Sequence, residues 1–366
     1  GRAIMCEVLP TAGLMANLAD DAADVGVMIT ASHNAAPDNG FKILGPGGRK
    51  LTDAENALFE GWLQSGSADH SPGSIDLAPL QAKRCYHRAL DHVAPESARL
   101  TGVRIAVDLA NGAASGTARW LQERYPAVEW VFLHTGEGTI NDQAGSEHPN
   151  GLVLAVTEQQ CHAGFAVDGD ADRCVLVDER GQVVPGDTLA WWLTVSSKVR
   201  SLAVTVMSST ALEASLPDVL IRRTPVGDRH LMMAMNQNGI SLGCEESGHV
   251  LFTDGLPGGD GVLTGLRALA AAPLGTRPLS ETLSGFEPFP RAVSKVRVND
   301  RPPLDQVPPL QAAVDRGRLR LGDHGRIFLR YSGTEPVLRV LVEGLDGLVV
   351  QAVCDDVTRV AAEVLC

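Results

Sequence analysis

The sequence lacks any long uninterrupted apolar run, although 44% of its 366 residues are hydrophobic. A membrane-spanning helix needs about 20 consecutive apolar residues, so we expect no membrane segment and no membrane partner. The basic and apolar leader of a secretory signal peptide is also missing from the start of the sequence, and we expect none. The first residue is Gly1 rather than Met, which suggests a fragment or a processed chain.

Positive charge is in deficit along the chain. The 31 lysines and arginines against 44 aspartates and glutamates leave a net charge of -13. A generic nucleic-acid-binding surface needs a basic field, so we expect no nucleic-acid partner. An acidic protein binds a small anion only where arginines, lysines and amide groups cluster locally.

Paired cysteine motifs are absent as well. The seven cysteines are odd in number and scattered, and no C-x-x-C pair occurs. This usage argues against a disulfide framework or a zinc site. It is typical of reduced thiols, and we therefore expect a cytoplasmic protein.

Short runs rich in Val and Ile alternate with longer amphipathic stretches, and 366 residues are too many for one core. The predicted strands are 103–112, 163–170 and 202–209, and the predicted helices are 116–125 and 186–199. This alternation predicts an α/β chain with mainly parallel sheets, whose ligands bind at the carboxyl ends of the strands. Domain breaks are expected at a linker over 65–79, near 183–187 and over 286–291. Beyond the last break the pattern predicts a small α+β domain with antiparallel strands and a final helix over 348–365.

Ser32 follows an apolar run and opens a loop rich in Pro, Asp, Asn and Gly. A lone serine in this position is most often a turn or N-cap residue. The alternative is a nucleophile, which would need activation because a free hydroxyl is a poor nucleophile. The residues around Ser32 leave both interpretations open.

Three aspartates alternate in the stretch AVDGDADRCVLVDE, at Asp168, Asp170 and Asp172. Carboxylates at this spacing can converge on one hard cation, and without a cation their like charges repel. An EF-hand is excluded, because its sixth loop position requires Gly and is Arg173 here, and both flanks are predicted strands. A solvated acidic turn is the alternative interpretation.

Two further loops combine polar groups that suit a sugar phosphate. Glu245, Ser247 and His249 alternate in GCEESGHVLF, where Glu and Ser can bind vicinal hydroxyls and His can transfer a proton. The start of a helix is an equally good interpretation of that stretch. The second loop, RYSGTEPVLRV, could form a phosphate nest or a simple hairpin. Its candidate phosphate ligands are Arg330, Ser332, Gly333, Thr334 and Arg339.

The four loops in this order resemble those of the α-D-phosphohexomutase superfamily. The matching segments are TASHN, DGDADR, GCEESGH and RYSGTEP. Further stretches are similar to the phosphoglucosamine mutase branch of that superfamily: LPTAGLMANL, TINDQAGSEHPNGL, VGDRHL, GGDGVLTGLRAL and LGDHGRIFLRYSGTEP. The resemblance extends over essentially the whole chain.

This resemblance implies three related mixed α/β domains and a small C-terminal α+β domain around a central cleft. The expected domains are a phosphoserine domain over 1–76, a metal-binding domain over 77–185, a sugar-binding domain over 186–288 and a phosphate-binding domain over 289–366. Members of the superfamily carry a further segment ahead of Leu9. We therefore expect the first domain to be incomplete, with unpaired strand edges and exposed core side chains.

The implied reaction interconverts glucosamine 6-phosphate and glucosamine 1-phosphate, which supplies a precursor of UDP-N-acetylglucosamine and of peptidoglycan. Ser32 would carry a phosphoryl group as phosphoserine, and the intermediate would be a sugar bisphosphate. One Mg²⁺ per chain would be held by Asp168, Asp170, Asp172 and the phosphate on Ser32. The other implied roles are catalysis by His33, Lys42, Arg173 and His249, and substrate binding by Gly227, Asp228, Arg229, Glu245, Ser247 and the fourth loop. The branch also implies a homodimer.

Two positions depart from the pattern of the phosphoglucosamine mutase branch. Ala171 replaces the usual Gly of the metal loop, which matters if the backbone there has a positive φ. Glu246 stands where Gln is usual and is more typical of phosphoglucomutases and phosphomannomutases, which are the alternative in the same class. An inert relative that only binds sugar phosphate, and a phosphatase with Asp168 as its nucleophile, are the alternatives from other classes.

Overall fold

The computed structural model describes residues 1–20, 23–66, 73–332 and 335–366. The described part divides into two compact units. The larger unit contains Gly1–Ser208 and Asp218–Gly285, and the smaller unit contains Ser209–Pro217 and Phe286–Cys366. Among the described residues no helix is both long enough and apolar enough to cross a membrane.

Helices and strands alternate along most of the chain. The strands are β1 (Arg2–Met5), β2 (Gly26–Ile29), β3 (Phe41–Leu44), β4 (Ser74–Leu77), β5 (Arg104–Asp108), β6 (Glu129–Leu133), β7 (Ala163–Val167), β8 (Cys174–Asp178), β9 (Val183–Val184), β10 (Ser201–Thr205), β11 (Leu220–Thr224), β12 (Leu242–Cys244), β13 (Val250–Phe252), β14 (Arg291–Arg297), β15 (Arg326–Tyr331) and β16 (Val337–Glu343). The α-helices are α1 (Thr11–Asp20), α2 (Asp53–Ser65), α3 (Pro79–Val93), α4 (Ala118–Arg124), α5 (Asn150–Glu158), α6 (Gly186–Ser196), α7 (Ala211–Ser215), α8 (Asp228–Asn238), α9 (Gly261–Ala271), α10 (Leu279–Leu283), α11 (Pro308–Leu321) and α12 (Gly347–Leu365).

The first part of the larger unit contains two small sheets. β1 pairs with β4 in parallel, and β2 pairs with β3 in an antiparallel hairpin whose connection carries Ser32. A capping box between Thr52 and Glu55 fixes the start of α2. The predicted linker over 65–79 contains β4 and the first residue of α3, and its residues 67–72 lie outside the described part.

Apolar side chains are exposed in this first part of the larger unit. None of the 13 residues of α2, all of them described, is buried. On the two hairpin strands Val27, Ile29 and Phe41 are exposed, and so is Trp62 on α2. Monomeric proteins rarely expose this much apolar surface in one region.

A five-stranded sheet of order β6-β5-β7-β8-β9 forms the middle of the larger unit. β5 pairs in parallel with β6 and β7, whereas β7 and β8, and β8 and β9, are antiparallel. The sheet is thus mixed, with two parallel and two antiparallel pairings. This agrees with the mixed α/β domains that the resemblance implies, whereas the alternation of strands and helices alone predicts mainly parallel sheets. A parallel return would need a crossover of about a dozen residues or more, and only residues 168–173 separate β7 from β8.

The last part of the larger unit has a four-stranded sheet of order β11-β10-β12-β13. β10 is parallel to both of its neighbours, and β12 and β13 form an antiparallel hairpin. The core between this sheet and α8 contains Leu231, Met235 and Ile240. The hairpin connection carries Glu245, Ser247 and His249.

The smaller unit is the expected α+β domain. Its antiparallel sheet has the order β14-β16-β15. α11 and α12 pack on this sheet, and their apolar residues share one core with those of the strands, including Leu310, Val340 and Val357. The buried Glu343 of β16 accepts hydrogen bonds from Arg326 and from the backbone N–H of Thr210.

Candidate active site

Ser32 lies in the connection between β2 and β3, and its backbone is left-handed, with a φ of 54°. Its N–H donates to Oγ1 of Thr30 at 2.8 Å, and its own hydroxyl donates to Oδ2 of Asp168 at 2.7 Å. Nδ1 of His33 lies 3.4 Å from the same hydroxyl oxygen. The serine forms part of a turn, as one interpretation holds, and the turn directs its hydroxyl at the aspartate loop.

A tight turn between β7 and β8 brings the three alternating aspartates together. The backbone N–H groups of Asp172 and Arg173 donate to Oδ1 of Asp168 at 3.0 and 3.1 Å. Ala171 is buried and has a φ of 60°. This left-handed conformation explains why Gly suits the position, and the small Ala side chain tolerates it at some cost in strain.

The aspartate cluster fits a hard divalent cation. Asp168, Asp170 and Asp172 are 0%, 2% and 6% exposed, and one oxygen from each lies within 4.8 Å of the others. Oδ1 of Asp170 is buried and has no hydrogen-bond partner in the described part of the chain. Mg²⁺ binds carboxylate oxygens at about 2.0–2.1 Å, so an unpaired buried oxygen beside two further carboxylates is what its coordination requires. The solvated acidic turn is excluded by the burial of all three side chains.

The charges around this cluster are strongly coupled. Burial and the like charges of Asp172 and Asp170 raise the pKa of Asp168 to about 8. Burial opposes the ionisation of Asp172, but His249 and Lys42 hold its pKa well below the usual range. The ammonium of Lys42, from β3, lies 2.5 Å from Oδ2 of Asp170 and 2.7 Å from Oδ2 of Asp172. The ammonium of Lys42, on the strand that follows the Ser32 connection, therefore balances part of the negative charge of the cluster.

The connection between β12 and β13 is a turn, so the interpretation of residues 245–249 as a helix start is wrong. Oε1 of Glu245 accepts the N–H of Gly227 at 2.9 Å, and the Ser247 hydroxyl lies 3.4 Å from Oε2 of Glu245. The imidazole of His249 is 4% exposed. Its Nδ1 lies 3.4 Å from Oδ1 of Asp172, and its Nε2 lies 3.4 Å from Oδ2 of Asp228.

Asp228 and Arg229 begin α8 and form ion pairs with the first domain. Asp228 pairs with Lys50, and Arg229 pairs with Asp53. Lys50 is largely buried, and this burial lowers its pKa to about 8, although the negative charge of Asp172 acts to raise it. These two ion pairs connect the segment after β3 to the N-terminal end of α8 in the same unit.

Arg173 connects the aspartate loop to the turn between β12 and β13. Its backbone forms an antiparallel bridge with His249, and its guanidinium donates to Oε1 of Glu147 at 2.9 Å. The N–H of Cys174 donates to the carbonyl of Gly248 at 3.0 Å, which adds a second link between the loops. Burial and the charge of Arg173 lower the pKa of His33.

The fourth loop belongs to the smaller unit and is the hairpin turn between β15 and β16. Arg330 and Arg339 stand directly opposite each other in the ladder. Ser332 is buried, its N–H donates to the Val337 carbonyl, and its hydroxyl accepts the N–H of Glu335 at 3.3 Å. Like charges directly opposite each other are destabilising, and here the guanidinium of Arg339 donates to Oε2 of Glu335 at 3.2 Å. Gly333 and Thr334 lie outside the described residues.

Four domains of one protein family match the chain in order. Phosphoglucomutase/phosphomannomutase alpha/beta/alpha domains I, II and III match residues 2–67, 86–181 and 188–289. The C-terminal domain of the same family matches residues 294–360.

Curated relatives are similar over most of the chain. The phosphoglucosamine mutase of Mesorhizobium japonicum is 39% identical over 356 residues, which cover 93% of this chain and 78% of the relative. That of Rhodospirillum rubrum is 39% identical over 355 residues, with 92% and 78% covered. The chain belongs to the phosphoglucosamine mutase family. It is accordingly an isomerase of the phosphohexomutase superfamily, whose members depend on Mg²⁺.

Solved structures share the fold of this phosphoglucosamine mutase family member. A phosphoglucomutase/phosphomannomutase family protein from Burkholderia thailandensis has a TM-score of 0.77 at 22% identity, with 99% of this chain and 82% of that chain covered. N-acetylphosphoglucosamine mutase from Aspergillus fumigatus, in complex with GlcNAc-6P and magnesium, has a TM-score of 0.70 at 20% identity, with 97% and 92% covered.

Several residues of the site were not individually predicted. Thr11 donates its hydroxyl to Oδ2 of Asp170 at 2.6 Å, and Lys50 and Glu147 form the ion pairs described above. Nδ2 of Asn141 donates to the carbonyls of Ser32 and Asn34. Thr11, Asn141 and Glu147 lie in the stretches LPTAGLMANL and TINDQAGSEHPNGL, which carry the family resemblance. That resemblance is the one sequence feature that points to these three residues.

Proposed function

We propose that the chain interconverts glucosamine 6-phosphate and glucosamine 1-phosphate through phosphoserine at Ser32. The observation that carries the proposal is the 2.7 Å hydrogen bond from the Ser32 hydroxyl to Asp168, within the buried aspartate cluster. A serine in this position can bear a phosphoryl group whose oxygens lie beside a divalent cation. The product would be a precursor of UDP-N-acetylglucosamine.

The reaction requires two phosphoryl transfers. In the first, the free hydroxyl of the sugar monophosphate forms a new bond to phosphorus and loses its proton. The bond between phosphorus and the Ser32 oxygen breaks, and that oxygen gains a proton to become the serine hydroxyl. The sugar bisphosphate then turns over, and its other phosphoryl group returns to Ser32. When bound by Asp168, Asp170, Asp172 and the serine phosphate, one Mg²⁺ supplies charge stabilisation to the transferring group.

The residues around Ser32 supply the remaining requirements. The ammonium of Lys42 contacts Asp170, and the guanidinium of Arg173 donates to Glu147. Both groups carry positive charge that would stabilise phosphoryl oxygens. Proton transfer to and from the sugar hydroxyl falls to Lys42 or His249, while His33 supports the serine turn.

Substrate binding falls to the loop after β12 and to the start of α8. The carboxylate of Glu245 and the hydroxyl of Ser247 would bind sugar hydroxyls, beside Gly227, Asp228 and Arg229. The phosphate that does not react would lie at the fourth loop, on Arg330, Ser332 and Arg339 with Gly333 and Thr334. The two N–H donors of a guanidinium group match two phosphate oxygens. The same loop would bind the phosphate whether it is on carbon 1 or on carbon 6 of the sugar.

A phosphoglucomutase or phosphomannomutase is the second candidate function, favoured by Glu246 in the sugar loop. The phosphatase alternative is disfavoured by the contacts of Asp168. Its Oδ1 accepts two backbone N–H groups and its Oδ2 accepts the Ser32 hydroxyl. A carboxylate with both oxygens occupied is a poor nucleophile.

A Mg²⁺-dependent conversion assay followed by ³¹P NMR tests the proposal. Glucosamine 1-phosphate, glucose 1-phosphate and mannose 1-phosphate are offered separately with a trace of the corresponding bisphosphate, and Ser32→Ala is the control. We expect the 6-phosphate from the glucosamine ester, lost in the control, with phosphoryl label on Ser32. Faster conversion of glucose 1-phosphate or mannose 1-phosphate would favour the second candidate function. Phosphoryl label on Asp168 would exclude both mutases. No turnover of any sugar phosphate would favour an inert binder.

A further inference from the structure

Asn141 lies in the loop that follows β6 and contacts the backbone of the serine turn. Both contacts are hydrogen bonds from Nδ2, to the Ser32 carbonyl at 2.8 Å and to the Asn34 carbonyl at 2.9 Å. The side chain is buried, and Asn141 is only 7% exposed. One carboxamide group thus donates both of its hydrogens to the turn that presents the serine.

The serine turn needs such support because its backbone is strained. A left-handed backbone is unfavourable for a residue other than Gly, and Ser32 has a φ of 54°. Within the turn the N–H of Asn34 donates to the Ala31 carbonyl at 3.0 Å. The two bonds from Asn141 fix the carbonyls on either side of His33, so they restrain the turn from outside.

Asn141 is itself anchored to the sheet that carries the aspartates. Its N–H donates at 3.0 Å to the carbonyl of Ala110, just after β5, and β5 pairs with β7, which leads into Asp168. The packing there is tight, since a Cβ added to Gly169 would lie 2.6 Å from the Ser32 carbonyl oxygen and 2.8 Å from Nδ2 of Asn141. The β2–β3 hairpin has only two strands and cannot set this distance with equal rigidity.

We propose that Asn141 is a positioning residue that holds Ser32 at the distance from Asp168 needed for phosphoryl transfer. This inference rests on the proposed function, since it assigns Asn141 to that same reaction. Asn141 touches the backbone of the turn and not the reacting atoms. Its effect is therefore on the rate of transfer and not on sugar binding, because misplacement by about 1 Å can reduce a rate about 10²-fold.

Two variants separate the hydrogen bonds from packing. Asn141→Ala removes both bonds, and Asn141→Asp keeps the shape but places a carboxylate oxygen where Nδ2 donates to the two carbonyls. Asn17→Ala is the matched control, because Nδ2 of the buried Asn17 also donates to two backbone carbonyls, those of Gly13 and Ala82, at 2.8 and 3.0 Å. It removes the same chemistry without touching the serine turn.

The measurements are kcat and KM for the sugar monophosphate, and amide hydrogen exchange of residues 30–40. We expect both Asn141 variants to lower kcat about 10²-fold with KM changed by less than about threefold, and to speed exchange in the turn. Asn17→Ala should change neither quantity at temperatures where it remains folded.

Two results would overturn the inference. One is a kcat within about threefold of the parent in both Asn141 variants, and the other is an equal loss in Asn17→Ala. If the parent chain converts no sugar phosphate, the proposed function fails on its own, and hydrogen exchange still decides on Asn141. Unchanged exchange of the serine turn in Asn141→Ala and Asn141→Asp would then exclude the positioning role.

Discussion

The hydroxyl of Ser32 donates to Oδ2 of Asp168 at 2.7 Å, although 136 positions separate the two residues in the sequence. One lies on the β2–β3 connection and the other on the β7–β8 turn. Two loops from different sheets therefore form a single site. Changes on either loop should affect metal binding and phosphoryl transfer in distinguishable ways.

Replacing Asp170 by Asn should weaken Mg²⁺ binding with little loss of stability. The change removes one of three convergent carboxylates and leaves a neutral amide where Oδ1 has no hydrogen-bond partner among the described residues. We expect the dissociation constant for Mg²⁺ to rise at least about tenfold, measured by isothermal titration calorimetry. Asp178→Asn is the control, since Asp178 is also buried and its Oδ1 accepts two backbone N–H groups of its own turn. An equal effect in both variants would contradict a cation site at Asp170.

Lys42→Gln should separate catalysis from metal binding. The ammonium of Lys42 contacts Oδ2 of Asp170 and of Asp172, so it lies beside two of the carboxylates proposed to hold the metal. Its removal should lower kcat by about 10²–10⁴-fold, as for loss of a general acid or charge at the transferring group. The dissociation constant for Mg²⁺ should stay equal or decrease, because a competing cation is gone.

Steady-state kinetics at several Mg²⁺ concentrations would test both parts of this prediction. Lys198→Gln, at an exposed position, is the control for the loss of one positive charge. A Lys42 variant that regained full kcat at high Mg²⁺ would show that the lysine only assists metal binding.

The sequence was sufficient for the residues whose spacing is local. Asp168, Asp170 and Asp172 fall within five positions, so alternation alone indicates convergence, and burial in the turn after β7 agrees with it. The small C-terminal domain was predicted for the same reason, because hairpins and their flanking helices are local patterns. The alternation of strands and helices alone does not predict the antiparallel pairs of the middle sheet, since strand direction depends on the length of each connection.

Long-range contacts could not be read from the sequence. Asn141 lies 109 positions from Ser32, and no local pattern distinguishes an amide that supports another loop from one in an ordinary turn. Lys50 and Asp228 likewise meet only because the segment after β3 packs against α8. A left-handed Ala171 is also invisible locally, because Ala has no preference for that conformation.

Arg330→Ala should raise KM for sugar monophosphates more than it lowers kcat. Its guanidinium is on an exposed strand residue opposite Arg339, at the loop proposed for the phosphate that does not react. Loss of a charge-assisted bond to a phosphate is worth about 1.5–3 kcal/mol, or about 10–150-fold in KM. Initial rates over a range of glucosamine 1-phosphate would measure this. Arg316→Ala, which breaks an exposed ion pair with Asp356 on α12, is the control and should leave KM unchanged.

Asp260→Asn should change how stability depends on pH. Asp260 begins α9 and is 1% exposed, its Oδ1 accepts the N–H of Leu263, and its Oδ2 accepts the Tyr86 hydroxyl, both at 2.7 Å. Burial raises the pKa of Asp260 from 3.8 to about 6. Between these values the folded state binds more protons than the unfolded state, so its stability falls as pH rises.

Two pKa units correspond to about 3 kcal/mol. Asn cannot titrate but still caps the helix, so the unfolding free energy of the parent relative to Asp260→Asn should fall by about 2 kcal/mol, most of that amount, between pH 4 and pH 7. Urea unfolding of both proteins across this range provides the measurement. Asp346→Asn, at the exposed start of α12, should show a change below about 1 kcal/mol. A difference in unfolding free energy between the two proteins that stays constant with pH would contradict this prediction. It would mean that Tyr86 and the helix N-terminus stabilise the charge of the buried carboxylate as well as water does.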